Sequence, residues 1–239
     1  MTIHRKTEDA QASDGGNAIH RRAWLKATAA SLATLAANTA IAGRPCATTV
    51  GNGDGPFYPD TEIPPALDLT RTPGRSGRAT GQPLLIVGRV LDADCRPVKG
   101  ARVEIWQADD RGRYHTGGDK PERLDPAFRY FAHAITDDAG QYRFKTLLPA
   151  AYQVGRSTRA PHIHYKVKHP DFRTLSTELY FEPHGDIRRQ DGIFQMIPEH
   201  GRERLIVPLV APATMTELAD LGHEADQACR FDITIGTRA

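Results

Sequence analysis

The chain has 239 residues, of which 39% are hydrophobic and 25% charged, with 31 basic and 29 acidic side chains. That length and balance suit one sizeable globular core. A formal net charge of +2 gives no basic footprint for nucleic acid, so that class of partner is set aside.

At the N-terminus, I-H-R-R-A-W-L-K (19–26) precedes a mildly apolar, Ala-rich run from Ala27 to Ala42. This resembles a twin-arginine export signal, with Ala40 and Ala42 as an A-x-A cleavage site. The run is short for a membrane span of about 20 residues, although an uncut anchor is the alternative. The membrane is therefore expected to be met only through the export signal. The mature chain, starting near Gly43, is expected in the periplasm or outside the cell. Loss of residues 1–42 removes five basic and three acidic residues and leaves 26 of each sign.

Three cysteines, Cys46, Cys95 and Cys229, lack any C-x-x-C zinc spacing. In an oxidising compartment two of them can pair; which two is not readable, and three buried thiols fit equally well. Residues 43–82, rich in Gly, Pro, Thr and Arg without periodicity, predict an extended lead-in that wraps the domain or lies over its pocket. G-D-G-P-F-Y-P-D (53–60) is its one distinctive island.

From Leu84 onward, short runs rich in Val, Ile, Tyr and Phe alternate with turn residues: L-L-I-V-G-R-V-L-D, A-R-V-E-I-W-Q-A-D, Y-R-F-K-T-L-L, H-I-H-Y-K-V-K, S-T-E-L-Y-F, R-L-I-V-P-L-V and R-F-D-I-T-I. That spacing predicts an all-β domain over 83–239, an antiparallel β-sandwich with long loops. In the second run Val103, Ile105 and Gln107 share one face, while Arg102, Glu104 and Trp106 share another that is at least partly wet. The one predicted helix is C-terminal, Met215 to Gln227, weakened by Gly222.

The chemistry centres on R-A-P-H-I-H (159–164). On a strand His162 and His164 point to the same side, roughly 7 Å apart along the chain, and can converge on one metal ion. Alone, H-x-H also describes a polar strand face. Two tyrosines in turn-like settings, G-R-Y (112–114) and L-P-A-A-Y (148–152), strengthen the metal reading. A phenol with a pKa near 10 needs a strong Lewis acid to ionise at neutral pH, and ferric iron is one. Tyr130, Tyr142, Tyr165 and Tyr180 lie in or beside strands and read as packing residues.

V-x-G-R-V-L-D-x-D-C-R-P-V-x-G-A-R-V-E-I-W-Q-A-D-x-x-G-R-Y, then T-D-x-A-G-x-Y-x-F-x-T-x-x-P, then R-x-P-H-I-H resembles the intradiol ring-cleavage dioxygenases, in order from about Gly53 to Phe181. The resemblance implies non-heme Fe(III) held by Tyr114, Tyr152, His162 and His164. It implies a small aromatic diol and O2 as substrates and a cis,cis-muconate-type diacid as product. Tyr152 would be displaced by the substrate and act as its base, and Arg159 would stabilise charge on the ring. Tyr58, in G-P-F-Y, is expected near the pocket. Self-association of copies is left open.

Two departures stand out. The family often carries Gln near Glu178, so a carboxylate there changes the charge around the substrate. The 153–161 stretch is short and lacks the aromatic that protocatechuate enzymes tend to have after the second tyrosine. The rival reading is a non-catalytic transthyretin-like or carboxypeptidase-regulatory-like β-module, which shares the strand pattern but has no need of Tyr114, Arg159 or H-I-H. A zinc or copper hydrolase site would need a third conventional ligand, and none stands at a recognisable spacing.

Overall fold

The computed structural model describes residues 46–116, 120–218 and 225–236; the export signal expected over residues 1–42 lies outside them. All the described residues belong to one compact unit, Ala42–Ala239. Among them no helix is long and apolar enough to cross a membrane.

Two sheets carry the fold. In the first, β1 (Pro83–Leu91) is central, pairing antiparallel with β4 (Gln141–Leu147). Its other edge takes two short parallel strands, β10 (Gln227–Arg230) and β11 (Ile233–Thr234). The second sheet has the order β3 (Phe131–Ile135), β2 (Arg102–Gln107), β7 (His162–His169), β8 (Phe172–Phe181), β9 (Ile206–Val207). Its long pairings are antiparallel, and β9 joins β8 in parallel. Strand alternation turns Leu84, Ile86, Val90, Val103, Ile105, Ile163, Tyr165, Val167 and Leu179 into one shared core.

The other face of the second sheet is wet at one end only, where the Arg102 and Lys168 side chains stay 30% and 39% exposed. Glu104 and Trp106 are each 1% exposed, because the lead-in lies over them. Arg102 donates to Ile63 O at 2.9 Å and Tyr58 Oη to Glu104 Oε2 at 2.8 Å. Further along, the lead-in hems one edge of each sheet. Ala66 N donates to His133 O on β3, and Leu69 N to Lys145 O on β4. This cover removes the unpaired edge groups that would otherwise recruit other chains.

The lead-in is tethered at its start by a Cys46–Cys95 disulfide; Cys229 is free and buried. The helix expected from Met215 to Gln227 is corrected where it can be described: Thr216–Leu218 is a 3-10 turn and Gln227 already belongs to β10, while 219–224 lie outside the described residues. β1 claims residues 227–230 for its exposed edge, and tertiary pairing overrides a weak, Gly-interrupted helix. Three short helices follow β8 instead: α1 (Gly185–Gln190), α2 (Gly192–Met196) and α3 (Glu199–Arg202).

Candidate metal centre

β7 presents His162 and His164 on the outer face of its sheet, both about 1% exposed. Their Nε2 atoms approach to 3.2 Å. His162 Nδ1 donates to Ala160 O at 2.5 Å, so the lone pair of that neutral ring sits on Nε2, aimed at His164. Trp106, the cross-strand partner of His164, stacks on its ring at 4.8 Å. Gly55 of the lead-in lies against the same imidazole. Burial pushes the His164 pKa down to about 3 and lowers His162 as well, which keeps both rings neutral and able to ligate.

Tyr114 arrives from the turn after β2. Asp109 builds that turn, its Oδ1 accepting from Arg111 N (2.9 Å) and Arg113 N (3.0 Å). Gly112 has φ +74°, and a Cβ there would stand 2.7 Å from Ala151 O and 2.9 Å from Tyr152 Cβ. A glycine at this point is what lets the two tyrosine-bearing segments touch. The Tyr114 and Tyr152 rings meet edge to face at 5.1 Å, and Phe57 stacks on Tyr114 at 4.3 Å.

Residues 153–161, expected to be a short loop, are largely a hairpin of β5 (Tyr152–Val154) and β6 (Ser157–Arg159). The two-residue turn starts at Gly155, whose φ is +60°. Its register sets Tyr152 directly opposite Arg159. Tyr152 Oη comes within 3.3 Å of His162 Nε2. Burial pushes the Tyr152 pKa up to about 12, with Arg159 opposing, and burial likewise drives Tyr114 well above the ordinary phenol value.

Glu178, on β8, is the cross-strand partner of His164. Its Oε1 lies 3.4 Å from His164 Nδ1 and 3.7 Å from His162 Nε2, so the two histidines and this carboxylate form a buried trio with metal-ligand spacing. Arg159 Nη2 bonds both Glu178 oxygens, at 2.9 and 3.0 Å, and the Tyr180 hydroxyl at 3.1 Å. Arg159 Nε bonds Asp191 at 3.1 and 3.2 Å. Burial alone would raise the Glu178 carboxyl, but the imidazoles and Arg159 outweigh it and hold it well below the usual range. With both rings uncharged near neutral pH, Arg159 is the partner that matters.

Tyr58 stands one layer away. Its hydroxyl is bonded to Glu104 and Lys168, and its ring meets the edge of Trp106 at 5.0 Å. Three contributors were not anticipated. Asp191 had a readable signal, an Asp before G-I-F-Q-M in N-cap position, and it does cap α2 through Ile193 N and Phe194 N. Asn52, which donates to Glu178 Oε2 at 2.7 Å, had none. Tyr180 packs against Phe194 as expected, yet its hydroxyl also donates to Glu178.

The donor set fits a trivalent, oxygen-loving cation. Two imidazole lone pairs and two phenols converge in a water-poor pocket where neither phenol ionises unaided. A family model described as "Dioxygenase" matches residues 54–236. The chain is 36% identical over 181 residues to the protocatechuate 3,4-dioxygenase beta chain of Burkholderia cepacia, covering 73% of this chain and 76% of that one. It is 31% identical over 229 residues to hydroxyquinol 1,2-dioxygenase of Corynebacterium glutamicum, covering 88% and 70%. In fold it is similar to 3-chlorocatechol 1,2-dioxygenase of Rhodococcus opacus 1CP, with a TM-score of 0.61 at 18% identity, covering 81% of this chain and 73% of that one.

Proposed function

Because the chain belongs to the intradiol ring-cleavage dioxygenase family, we propose that Tyr114, Tyr152, His162 and His164 hold a non-heme ferric ion at which O2 opens a catechol-type ring between its two hydroxyls. The observation that carries this reading is the 3.2 Å convergence of the two histidine Nε2 atoms, with Tyr152 Oη 3.3 Å from one of them. Ferric iron would supply the Lewis acidity that ionises phenols near neutral pH and grips both oxygens of the diol.

The protein's own groups then have distinct tasks. Tyr114, sandwiched by Phe57 and deeply buried, is the fixed phenolate ligand. Tyr152 sits at the start of a hairpin with Arg159 opposite. Its high intrinsic basicity suits it to leave the donor set and take a proton from the incoming diol. Arg159, only 3% exposed, offers a guanidinium beside the donors and stabilises negative charge as it builds on the ring. Glu178 and Asp191 fix where that guanidinium points.

Export through a twin-arginine signal over residues 1–42 is part of the same proposal. The Cys46–Cys95 disulfide supports an oxidising destination. Fractionation of cells expressing the full chain, with the protein found only in the cytoplasm, would refute that part.

The functional test is direct. The purified protein should bind iron, show a visible tyrosinate charge-transfer band and consume oxygen with a panel of catechols. His162→Ala and His164→Ala should lose iron, whereas Tyr152→Phe should retain part of it and turn over slowly. A colourless, iron-free protein after careful iron loading would overturn the proposal.

A further inference from the structure

We infer that this site selects diols whose ring carries no carboxylate, because two buried protein carboxylates already claim its arginine and leave the fixed charge around the donors negative. The inference rests on the metal-centre reading above and adds the substrate subclass.

Arg159, Glu178 and Asp191 are 3%, 3% and 0% exposed, so their charges are not diluted by water. Together one guanidinium and two carboxylates sum to one negative charge. A ferric ion with one tyrosinate and a diol bound as a dianion would sum to zero net charge and so would add little to the discrimination. The difference between a neutral and an anionic ring substituent therefore falls on these fixed groups.

Geometry closes the obvious escape. A guanidinium recognises a carboxylate with two parallel N–H groups, and either available edge uses Nη2. Arg159 Nη2 is committed to both Glu178 oxygens and to the Tyr180 hydroxyl, and Nε to Asp191. A substrate carboxylate is thus denied the bidentate grip it would need. Glu178 is itself held by Asn52 and Tyr180 besides Arg159, so it does not swing aside.

The remaining nearby charges do not restore a positive field. Lys166, two residues along β7 from His164, is paired with Asp54 at 2.6 Å. Lys168 and Arg102 both bond Glu104. Lys168, Arg102 and Glu104 together carry one positive charge, but Lys168 stands four residues beyond His164, about 13 Å along the strand, whereas Glu178 lies 3.4 Å from His164 Nδ1, so the nearer negative charge weighs more.

The experiment compares two diols of nearly equal size, 3,4-dihydroxybenzoate and 3,4-dihydroxybenzamide, on the iron-loaded enzyme. Dissociation constants come from anaerobic titration of the visible catecholate band, and kcat/KM from oxygen uptake. The amide should be favoured by at least about tenfold in both. Glu178→Gln should shrink that preference by about tenfold, by removing one fixed charge and freeing Nη2. Equal handling of acid and amide by the wild-type enzyme would overturn the inference, and that comparison stands even if the variant does not fold. An unchanged preference in a folded Glu178→Gln protein would also overturn it. If iron and both diols bind yet neither is cleaved, the proposed activity fails while the binding ratio still decides the charge argument.

Discussion

Replacing Asp191 should destabilise this protein more than any other single side chain in the arginine network that leaves the metal donors untouched. Asp191 is fully buried and accepts five contacts from four donors: both Oδ atoms from Arg159 Nε, Oδ2 from Ala160 N at 2.9 Å, and Oδ1 from Ile193 N and Phe194 N at 3.0 and 3.1 Å. In Asp191→Ala the cap of α2 is lost, at about 1 kcal/mol. The Ala160 N–H is left buried without an acceptor, at about 1–3 kcal/mol. Arg159 retains Glu178, so the full penalty of an unpaired buried charge, about 3–5 kcal/mol, is not reached. A loss of about 2–4 kcal/mol follows, a large share of a typical stability of about 5–15 kcal/mol.

Asp191→Asn separates the contributions. An amide oxygen still caps α2, but it cannot accept from both sides, so about half the loss is expected. Urea unfolding followed by far-UV circular dichroism gives the midpoint shift at constant slope, and iron content checks that the donors are intact. A loss below about 0.5 kcal/mol for Asp191→Ala, or equal losses for the two variants, would refute the reasoning.

Three further outcomes are expected. Gly112→Ala should cost at least about 1–3 kcal/mol of strain at a positive φ and push Tyr114 away from Tyr152, read as a weakened or shifted visible band in a protein that still folds. Removing the Cys46–Cys95 bond, which spans 49 positions, as Cys46→Ser plus Cys95→Ser should cost up to about 4 kcal/mol by loop closure; an unchanged melting temperature by calorimetry would deny the tether any role. For Glu104, burial would raise the pKa, but bonds from Lys168, Arg102 and Tyr58 outweigh it and leave it below its ordinary value. For Lys168, burial lowers the pKa, but Glu104 and Tyr58 outweigh it and leave it raised. The pair therefore stabilises fully between about pH 4.5 and 10.5. Its contribution fades as pH falls through the folded pKa of Glu104 or rises through that of Lys168. Glu104→Gln should flatten the acid limb of melting temperature against pH, and an unaltered limb would exclude the pair as its source.

The residues that were legible in advance share one property: their meaning is local. H-I-H places two rings on one side of a strand wherever that strand goes, and a Gly-Arg-Tyr turn delivers a tyrosine beyond a strand end. Runs such as L-L-I-V-G-R-V-L form strands because alternation and β-branching act over a few residues. Glu178 was recognisable as a departure, but its place beside His164 depends on the β7–β8 register, across fourteen positions of sequence. The hairpin of 152–159 was hidden because its strands are three residues each, too short for a period. At the described ends of Met215–Gln227 the opposite happened: an apparent helical pattern gave way to a 3-10 turn at Thr216–Leu218 and, at Gln227, to an unpaired strand edge.

The half-covered face of β2 explains most about how the site exists. Arg102, Glu104, Lys166, Lys168 and Glu178 alternate with apolar residues as a solvent-facing stripe should, and without the lead-in they would be one. Residues 50–68 bury the Glu104 and Glu178 part of that stripe by supplying its partners, Asn52 to Glu178, Asp54 to Lys166 and Tyr58 to Glu104, and leave Arg102 and Lys168 partly in solvent. A buried charge without its partner costs several kcal/mol, so the strap and the sheet face stabilise one another or neither stays buried. The same cover reaches His164 through Gly55, and burial holds that imidazole neutral. The burial that keeps the proposed imidazole donor His164 uncharged therefore comes in part from a segment that contributes none of the four proposed ligands.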